Sequence, residues 1–114
     1  MNKKKLEKRL RNRKDIEWRE KVKSKCNKCI ICGDLKRVNC HHIIPKEIKA
    51  TRWDVRNGIT LCPKHHKFGR FSAHKNALWF IRFLFEYDPL RTDYLLIELG
   101  EEYEKENTEN SEKI

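Results

Sequence analysis

The fold of this chain is decided by two stretches, CHHIIP at residues 40–45 and NGITLCPKHH at residues 57–66. Four of the five histidines and two of the five cysteines lie between residues 40 and 66. Imidazole and thiolate are side chains that bind transition metals, and imidazole also titrates near neutral pH. We therefore expect the rest of the chain to support a site in this region.

Just upstream, residues 26–33 contain two overlapping Cys-x2-Cys pairs. A metal knuckle turns tightly so that backbone amides point at the thiolates, and a glycine after the second cysteine eases the turn. Gly33 therefore favours the second pair, which leaves Cys26 and Cys40 as bystanders. A Cys-x2-His pair with the same spacing follows at residues 62–65. The predicted ligands of a structural zinc ion are Cys29, Cys32, Cys62 and His65.

The paired histidines allow a second metal site. Successive side chains of a strand alternate, so the rings of His41 and His42 cannot both face one side. One ring can bind a metal while the other acts on a substrate held there, which suits hydrolysis by a metal and a neutral imidazole base. In the same way His65 can face zinc while His66 faces a second metal. A single zinc site with surface histidines is also compatible with these spacings.

Positive charge is concentrated at the N-terminus. The net charge is +10, residues 1–25 carry twelve Lys or Arg against four acids, and residues 101–114 carry six Glu against two Lys. Excess positive charge favours association with nucleic acid through counterion release. A solvated helix face is the alternative interpretation of the N-terminal segment.

Length and hydropathy bound the class of protein. A chain of 114 residues supports one domain with a small core, which a structural metal often supplements. The charged N-terminus has no apolar run behind it, and the longest apolar run, Ala77 to Ile81, is too short for a membrane span. We expect a cytoplasmic protein without membrane contact, whose cysteines are ligands or free thiols rather than disulfides.

Residues 1–25 are predicted to form a basic helix. From Lys3 to Lys25 the chain contains no glycine or proline, and strong helix formers dominate. This helix would lie on the domain or along a phosphate backbone. Its thin apolar stripe, spaced i, i+4, consists of Leu6 with Leu10 and Trp18 with Val22.

Residues 26–87 are predicted to form the core of the domain. Its expected elements are a strand at 36–40, a turn at Asn57-Gly58, a strand at 59–61 and a helix opening at 63–67. Residues 77–85 are apolar on nearly every face, which predicts a core helix, with an oligomer contact as the alternative.

The remaining residues are predicted to form a final helix and a tail. Asp88-Pro89 would break the preceding helix. Residues 88–104 form the next unit, a helix in which Leu95, Leu96 and Leu99 are the apolar positions. Residues 105–114 are acidic and are expected to be disordered.

Together these motifs resemble the HNH endonuclease family, in the zinc-knuckle branch common in phage and other mobile elements. The resemblance covers residues 26–80 and implies a ββα-metal (His-Me finger) fold of the α+β class. In that fold a helix packs across a two-stranded hairpin, with one catalytic divalent cation between them. The implied function is hydrolysis of DNA phosphodiester bonds, by nicking or double-strand cleavage. The motifs that carry it are Cys29-x2-Cys32, HHIIP at 41–45, NGITLC at 57–62, His65-His66 and His74.

The resemblance also implies roles for individual residues. His41 matches the first ligand of the catalytic cation, His42 the general base, and His66 the second ligand. Asn57 matches the asparagine that fixes the loop and so orients the base. His74 matches a further ligand, at a longer interval from His66 than the three intervening residues common in the family. The implied cation is Mg²⁺, Mn²⁺, Ni²⁺ or Zn²⁺.

The partner implied by the resemblance is double-stranded DNA, cut to 5′-phosphate and 3′-hydroxyl ends. One active site cuts one strand per event, so a monomer would nick, and a double-strand break needs a homodimer or two visits. A larger phage or mobile-element machine is a further predicted partner. Basic residues that flank the site would hold phosphates, although each could equally face solvent: Arg52, Arg56, Lys64, Lys67 and Arg70.

Two other functions remain open at this point. A zinc-stabilised DNA-binding protein would need the knuckle and the basic face, but not His42 and Asn57 together. An interaction protein, such as a phage packaging or toxin-associated subunit, would use residues 77–85 as its working surface. A packaging role is compatible with nuclease activity, since members of the family can nick DNA beside a larger machine.

Overall fold

The computed structural model describes residues 2–112. Within this range, none of the helices combines the length and the hydropathy of a membrane span. In chain order the elements are helix α1 (Lys3–Lys25), strand β1 (Asn39–His42), helix α2 (Lys49–Arg52), a 3-10 turn (Val55–Asn57), strand β2 (Gly58–Leu61), a π-helical turn (Lys64–Phe68), helix α3 (Ala77–Tyr87) and helix α4 (Pro89–Glu112).

Strands β1 and β2 form a two-stranded antiparallel sheet. In its register His41 pairs with Ile59, and His42 pairs with Gly58. This sheet and the helices give the small α+β fold that the sequence predicts, and the fold is consistent with a ββα-metal core. The helix expected after β2 is a single π-helical turn of five residues.

The start of β1 corrects the predicted strand at residues 36–40. Arg37 has a φ of 55°, a left-handed value that a strand does not contain. The Asp34 carboxylate accepts a hydrogen bond from the Lys36 N–H at 2.9 Å, which stabilises a turn there. The strand therefore begins at Asn39 and contains the histidine pair instead of leading into it.

Helix α1 spans the range in which the sequence predicts a helix. The Asn2 side chain accepts a hydrogen bond from the Lys5 N–H at 2.9 Å and caps the first turn. Only the second half of α1 packs on the domain, where Trp18 and Val22 are buried. Residues 3–14 are exposed throughout, so the first leucine pair of the predicted stripe covers nothing in this chain.

Helix α3 contributes one face to the core. Phe80 and Leu84 are spaced i, i+4 and are buried against β2 residues Ile59 and Leu61. On the opposite face Leu78 is 83% exposed, and the side chains of residues 81 and 85 are exposed as well. The predicted core helix is therefore correct for one face and wrong for the other.

Helix α4 corrects the predicted disordered tail. It begins at Pro89, directly after Asp88 ends α3, and it continues to Glu112. The predicted disorder is wrong for residues 105–112, and residues 113–114 lie outside the described residues. Beyond Gly100 the segment contains no further glycine or proline and is rich in Glu, a good helix former, so propensity outweighs the acidic composition.

Gly58 is required for a close approach between α1 and β2. It has an extended φ of −121°, and the turn predicted at Asn57-Gly58 is supplied by the 3-10 turn that ends at Asn57. A Cβ at this position would overlap Val22 Cγ2 and would lie 2.8 Å from Trp18 Cζ2. The missing side chain thus leaves the space into which α1 packs.

Gly58→Ala is expected to lower the free energy of unfolding by about 1–3 kcal/mol, because α1 must move away from the sheet. Urea denaturation measures this change through the transition midpoint. Gly100→Ala is the matched control, since a Cβ there meets nothing within 4 Å. Equal unfolding free energies for both variants would contradict the packing of α1 on β2.

Candidate functional site

A cysteine cluster, formed by Cys29, Cys32, Cys62 and His65, joins the two knuckles; its four ligand atoms all lie within 4.8 Å of one another. His65 Nδ1 lies 3.3 Å from Cys62 Sγ and 3.7 Å from Cys29 Sγ. The sulfur atoms of Cys32 and Cys62 are 3.8 Å apart. Three thiols and one imidazole are a donor set typical of structural zinc. The structure thus brings the four predicted ligands together, and they fit that metal.

The backbone of the first knuckle supports thiolate formation. Gly33 has a φ of 78°, and its N–H donates to the Cys29 carbonyl at 2.8 Å. Burial raises the pKa of the Cys29 thiol, but backbone N–H groups, foremost that of Cys62, donate to its sulfur and lower the pKa on balance. Thiolate is the form that binds metal. Cys26 lies outside the cluster and contacts a backbone carbonyl at 3.4 Å.

A histidine cluster is formed by His41, His66 and His74. On the π-helical turn, His65 belongs to the cysteine cluster and its neighbour His66 belongs to the histidine cluster. His66 Nε2 is 3.0 Å from His41 Nδ1 and 3.1 Å from His74 Nε2. A ring nitrogen carries either one hydrogen or one lone pair, so His66 Nε2 cannot satisfy both neighbours by hydrogen bonds. Three imidazole nitrogens converging on one place suit a shared metal cation.

The π-helical turn explains how His74 reaches the cluster. The Gly69 N–H donates to the Lys64 carbonyl at 2.7 Å and closes the wide turn. Backbone N–H groups of residues 73 and 74 then donate to the carbonyls of residues 65 and 66 at 2.8 and 3.0 Å. The chain thus folds back on itself, and the interval before His74 does not keep it away from His66.

Two members of the histidine cluster, His41 and His66, are held in the neutral form. Burial, together with charge repulsion from the neighbouring His66 and His74, lowers the pKa of His41 to about 3. Burial and His74 lower the pKa of His66 to about 4. A neutral imidazole has the lone pair that a metal ligand needs. These two rings are therefore ready to bind a cation near pH 7.

His42 lies next to the cluster but has different partners. Its Nε2 is 2.9 Å from the Arg52 carbonyl, which can only accept, so Nε2 carries the hydrogen and Nδ1 keeps a lone pair. Burial lowers the pKa of His42, which keeps the ring neutral. The same open groove, about 640 Å³ in volume, is lined by His42 and by all three members of the histidine cluster. We refer to it as the histidine groove.

Asn57 fixes the loop that follows β1. Its side chain is fully buried, and its Oδ1 accepts from the Ile44 N–H at 2.6 Å. Its Nδ2 donates to the carbonyls of Ile44 and Thr51 at 3.0 and 3.1 Å. The amide therefore ties the residues after His42 to α2, in agreement with a role in fixing this loop.

The five predicted phosphate-binding residues have different environments. Arg52 does not fit that role, because both Asp15 oxygens bind its guanidinium and its side chain is only 16% exposed. Arg56 is paired with Asp54 and lines a separate cavity of about 500 Å³. Lys67 lines the histidine groove. The other two, Lys64 and Arg70, are exposed on the same segment.

Sequence reasoning missed two contacts that α1 makes with the site. The Trp18 ring stacks on the His42 ring, with centroids 3.8 Å apart and an interplanar angle of 5°. Asp15 binds Arg52, the residue whose carbonyl accepts from His42. The available signal was the helical spacing of Asp15, Trp18 and Val22, which places a lone aspartate on the buried face of a basic helix.

Comparison with known proteins gives one match, to a family model. Residues 29–74 match the family model described as HNH endonuclease. No curated protein and no solved structure matches the chain. The matched segment contains the whole cysteine cluster, the whole histidine cluster and His42. This part of the chain is therefore similar to the HNH endonuclease family.

Proposed function

We propose that this protein is a metal-dependent endonuclease that hydrolyses DNA phosphodiester bonds in the histidine groove. The observation that carries the proposal is the arrangement of three converging imidazoles beside a fourth imidazole that has a free lone pair. A family of nucleases supplies the context, and nucleic acid is the substrate that such a domain implies. The donor set and the base together favour hydrolysis over binding alone.

The residues that would hold the catalytic cation are His41, His66 and His74. A divalent cation bound there would polarise the phosphoryl group and stabilise charge on the leaving 3′ oxygen. Mg²⁺, Mn²⁺, Ni²⁺ and Zn²⁺ are the candidates. Imidazole ligands favour the transition metals among these, so we expect Mn²⁺ or Ni²⁺ to support higher activity than Mg²⁺.

His42 would act as the general base. With Nε2–H donated to the Arg52 carbonyl, Nδ1 is the atom that takes a proton from the attacking water. Its lowered pKa means that the ring starts the reaction neutral. Asn57 would contribute by holding the loop between the base and α2. Cleavage in this way would leave 5′-phosphate and 3′-hydroxyl ends.

The cysteine cluster would bind a structural zinc ion. All four coordination positions would be filled by protein ligands, as in structural rather than catalytic zinc sites. The zinc would hold the knuckle at residues 29–32 against the π-helical turn. Because His65 and His66 are neighbours on that turn, the same ion would also place His66 for the catalytic cation.

Charge supports duplex DNA as the partner. Residues 3–14 of α1 are exposed and carry eight Lys or Arg against one Glu. Lys67 lines the histidine groove, and Lys64 and Arg70 lie on the adjacent segment. Such residues would bind phosphates without reading bases, so we expect cleavage with little sequence preference.

The proposal is tested by incubating supercoiled plasmid with EDTA-washed protein that keeps its zinc, as Mg²⁺, Mn²⁺ or Ni²⁺ is added back. We expect cation-dependent nicking, and DNA ligase should reseal the nicks because the ends are 5′-phosphate and 3′-hydroxyl. His66→Ala should bind the plasmid but not nick it. If the wild-type protein binds DNA but does not nick it with any of the added cations, the protein is instead a zinc-stabilised DNA-binding protein.

A further inference from the structure

We propose that helix α1, which lies outside the segment that matches the family model, positions the general base. Trp18 and Asp15 are the positioning residues, and they act through two different contacts. The inference rests on the proposed role of His42 in cleavage. It assigns the basic N-terminal helix a role in catalysis, in addition to the role of its positive charge in binding DNA.

Trp18 sets the plane of the His42 ring. The two rings are nearly parallel, at 5°, with centroids 3.8 Å apart. Trp18 is itself fixed, because it is 2% exposed and its Nε1–H donates to the Asp54 carbonyl at 2.8 Å. A flat, anchored surface on one face of an imidazole restricts rotation about the bond that joins the ring to the main chain.

Asp15 sets the direction of the His42 ring within that plane. The carboxylate accepts from Arg52 Nε at 3.0 Å and from Arg52 Nη2 at 2.8 Å, a bidentate pair. It also accepts from the Trp53 Nε1–H at 2.9 Å. These three bonds hold residues 52–53 against α1, and the Arg52 carbonyl is the acceptor for His42 Nε2–H.

The two contacts together determine where Nδ1 points. Stacking fixes the ring plane, and the hydrogen bond at Nε2 fixes the rotation within it, so the lone pair on Nδ1 has one direction. Gly58, which pairs with His42 across the sheet, leaves the space that Trp18 occupies. The arrangement therefore depends on α1, β1 and β2 at once.

The arrangement is more specific than ordinary core packing. An aliphatic residue at position 18 would also bury surface, but it would offer no flat face to an imidazole. The Asp15–Arg52 ion pair is partly buried, with side chains 18% and 16% exposed, and its desolvation carries a cost that apolar residues in the same place would avoid. Both features are explained if the ring of His42 must be held in one orientation.

Steady-state cleavage at saturating Mn²⁺ separates positioning from folding and binding. Trp18→Leu is expected to lower kcat by about 10–100-fold, the scale that follows from small misplacements of a reacting group, with KM within about twofold. Trp18→Phe restores a flat ring and should recover most of the lost kcat. Asp15→Ala should lower kcat in the same way, and Glu17→Ala, an exposed acid on the same helix, is the matched control.

A kcat for Trp18→Leu equal to that of Glu17→Ala, with zinc content and melting temperature retained, would overturn the proposal. So would a Trp18→Phe variant as slow as Trp18→Leu. Should Trp18→Leu fail to fold, the comparison of Trp18→Phe and Asp15→Ala with Glu17→Ala decides in its place. An increase in KM alone, with kcat unchanged, would overturn the positioning role and assign α1 to DNA binding only.

Nuclear magnetic resonance keeps this test separate from the proposed nuclease function. The indole ring current should shift the carbon-bound ring protons of His42 upfield, and ¹⁵N spectra should show the Nε2–H tautomer. Both signatures should weaken in Trp18→Leu, and the tautomer should become mixed in Asp15→Ala. His42 signals that do not change in these variants would overturn the positioning role, whether or not the wild type cleaves DNA. If the shifts are present but the wild type does not cleave DNA, only the proposed nuclease function is overturned.

Discussion

His42→Ala is expected to lower the rate of DNA cleavage by about 10²–10⁴-fold, the contribution of a positioned general base. The variant keeps all three members of the histidine cluster and all four of the cysteine cluster, so its metal content should be unchanged. Single-turnover cleavage of a labelled duplex measures the effect, because it isolates the chemical step from product release.

The control for His42→Ala is Asn39→Ala, at an exposed position on the same strand. The control should cleave at the wild-type rate with the wild-type melting temperature. Cleavage by His42→Ala within a few-fold of the wild-type rate, at equal zinc content, would remove His42 from the mechanism.

Cys62→Ser is expected to have the largest effect on stability. The change keeps the volume of a side chain that is buried in the core, but it replaces a thiolate ligand with a hydroxyl. Binding of structural zinc contributes about 10–16 kcal/mol in zinc-finger peptides, as much as the whole stability of about 5–15 kcal/mol of a typical domain. We expect loss of zinc and loss of a cooperative thermal transition.

Elemental analysis for zinc and circular dichroism on heating measure these losses. Cys40→Ser is the matched control, because Cys40 lies outside the cluster and its Sγ donates a hydrogen bond to the Arg19 carbonyl, at 3.6 Å. This control should keep one zinc ion and melt close to the wild type. The same behaviour from Cys62→Ser would show that the cysteine cluster does not hold a structural metal.

Local spacing and the resemblance to a known family together predicted the members of both clusters, although each cluster joins segments that are far apart in sequence. A two-residue spacing closed by Gly33 forms a knuckle, and alternation along β1 separates His41 from His42. The neighbours His65 and His66 face different clusters for a similar reason, since consecutive residues on one turn point in different directions. In each case the decisive information lies within a few residues.

The contacts from α1 were out of reach because they are not local. Trp18 meets His42 across 24 positions of sequence, and Asp15 meets Arg52 across 37. Nothing in the pattern of a basic helix states which strand it packs against. The close approach at Gly58 could be interpreted only once α1 and β2 were seen together.

The positions of His74 and of the end of α4 were decided by competing effects. Spacing alone argued against His74, but the π-helical turn and two backbone hydrogen bonds return the chain to His66. Acidic composition argued for a disordered tail, whereas helix propensity extends α4 to Glu112. An acidic composition indicates that the side chains prefer water, but it did not predict the conformation of the backbone in this segment.

Whether a cation in the histidine cluster drives DNA hydrolysis is tested most directly by the single-turnover rate of duplex cleavage during a Mn²⁺ titration. EDTA-washed wild type that keeps its zinc should show a rate that rises from near zero and saturates as one site fills. His41→Ala, which removes one of the three converging nitrogens, should stay near zero at the concentration that saturates the wild type. A wild-type rate that does not depend on the cation, or a His41→Ala variant that follows the wild-type curve, would contradict this account.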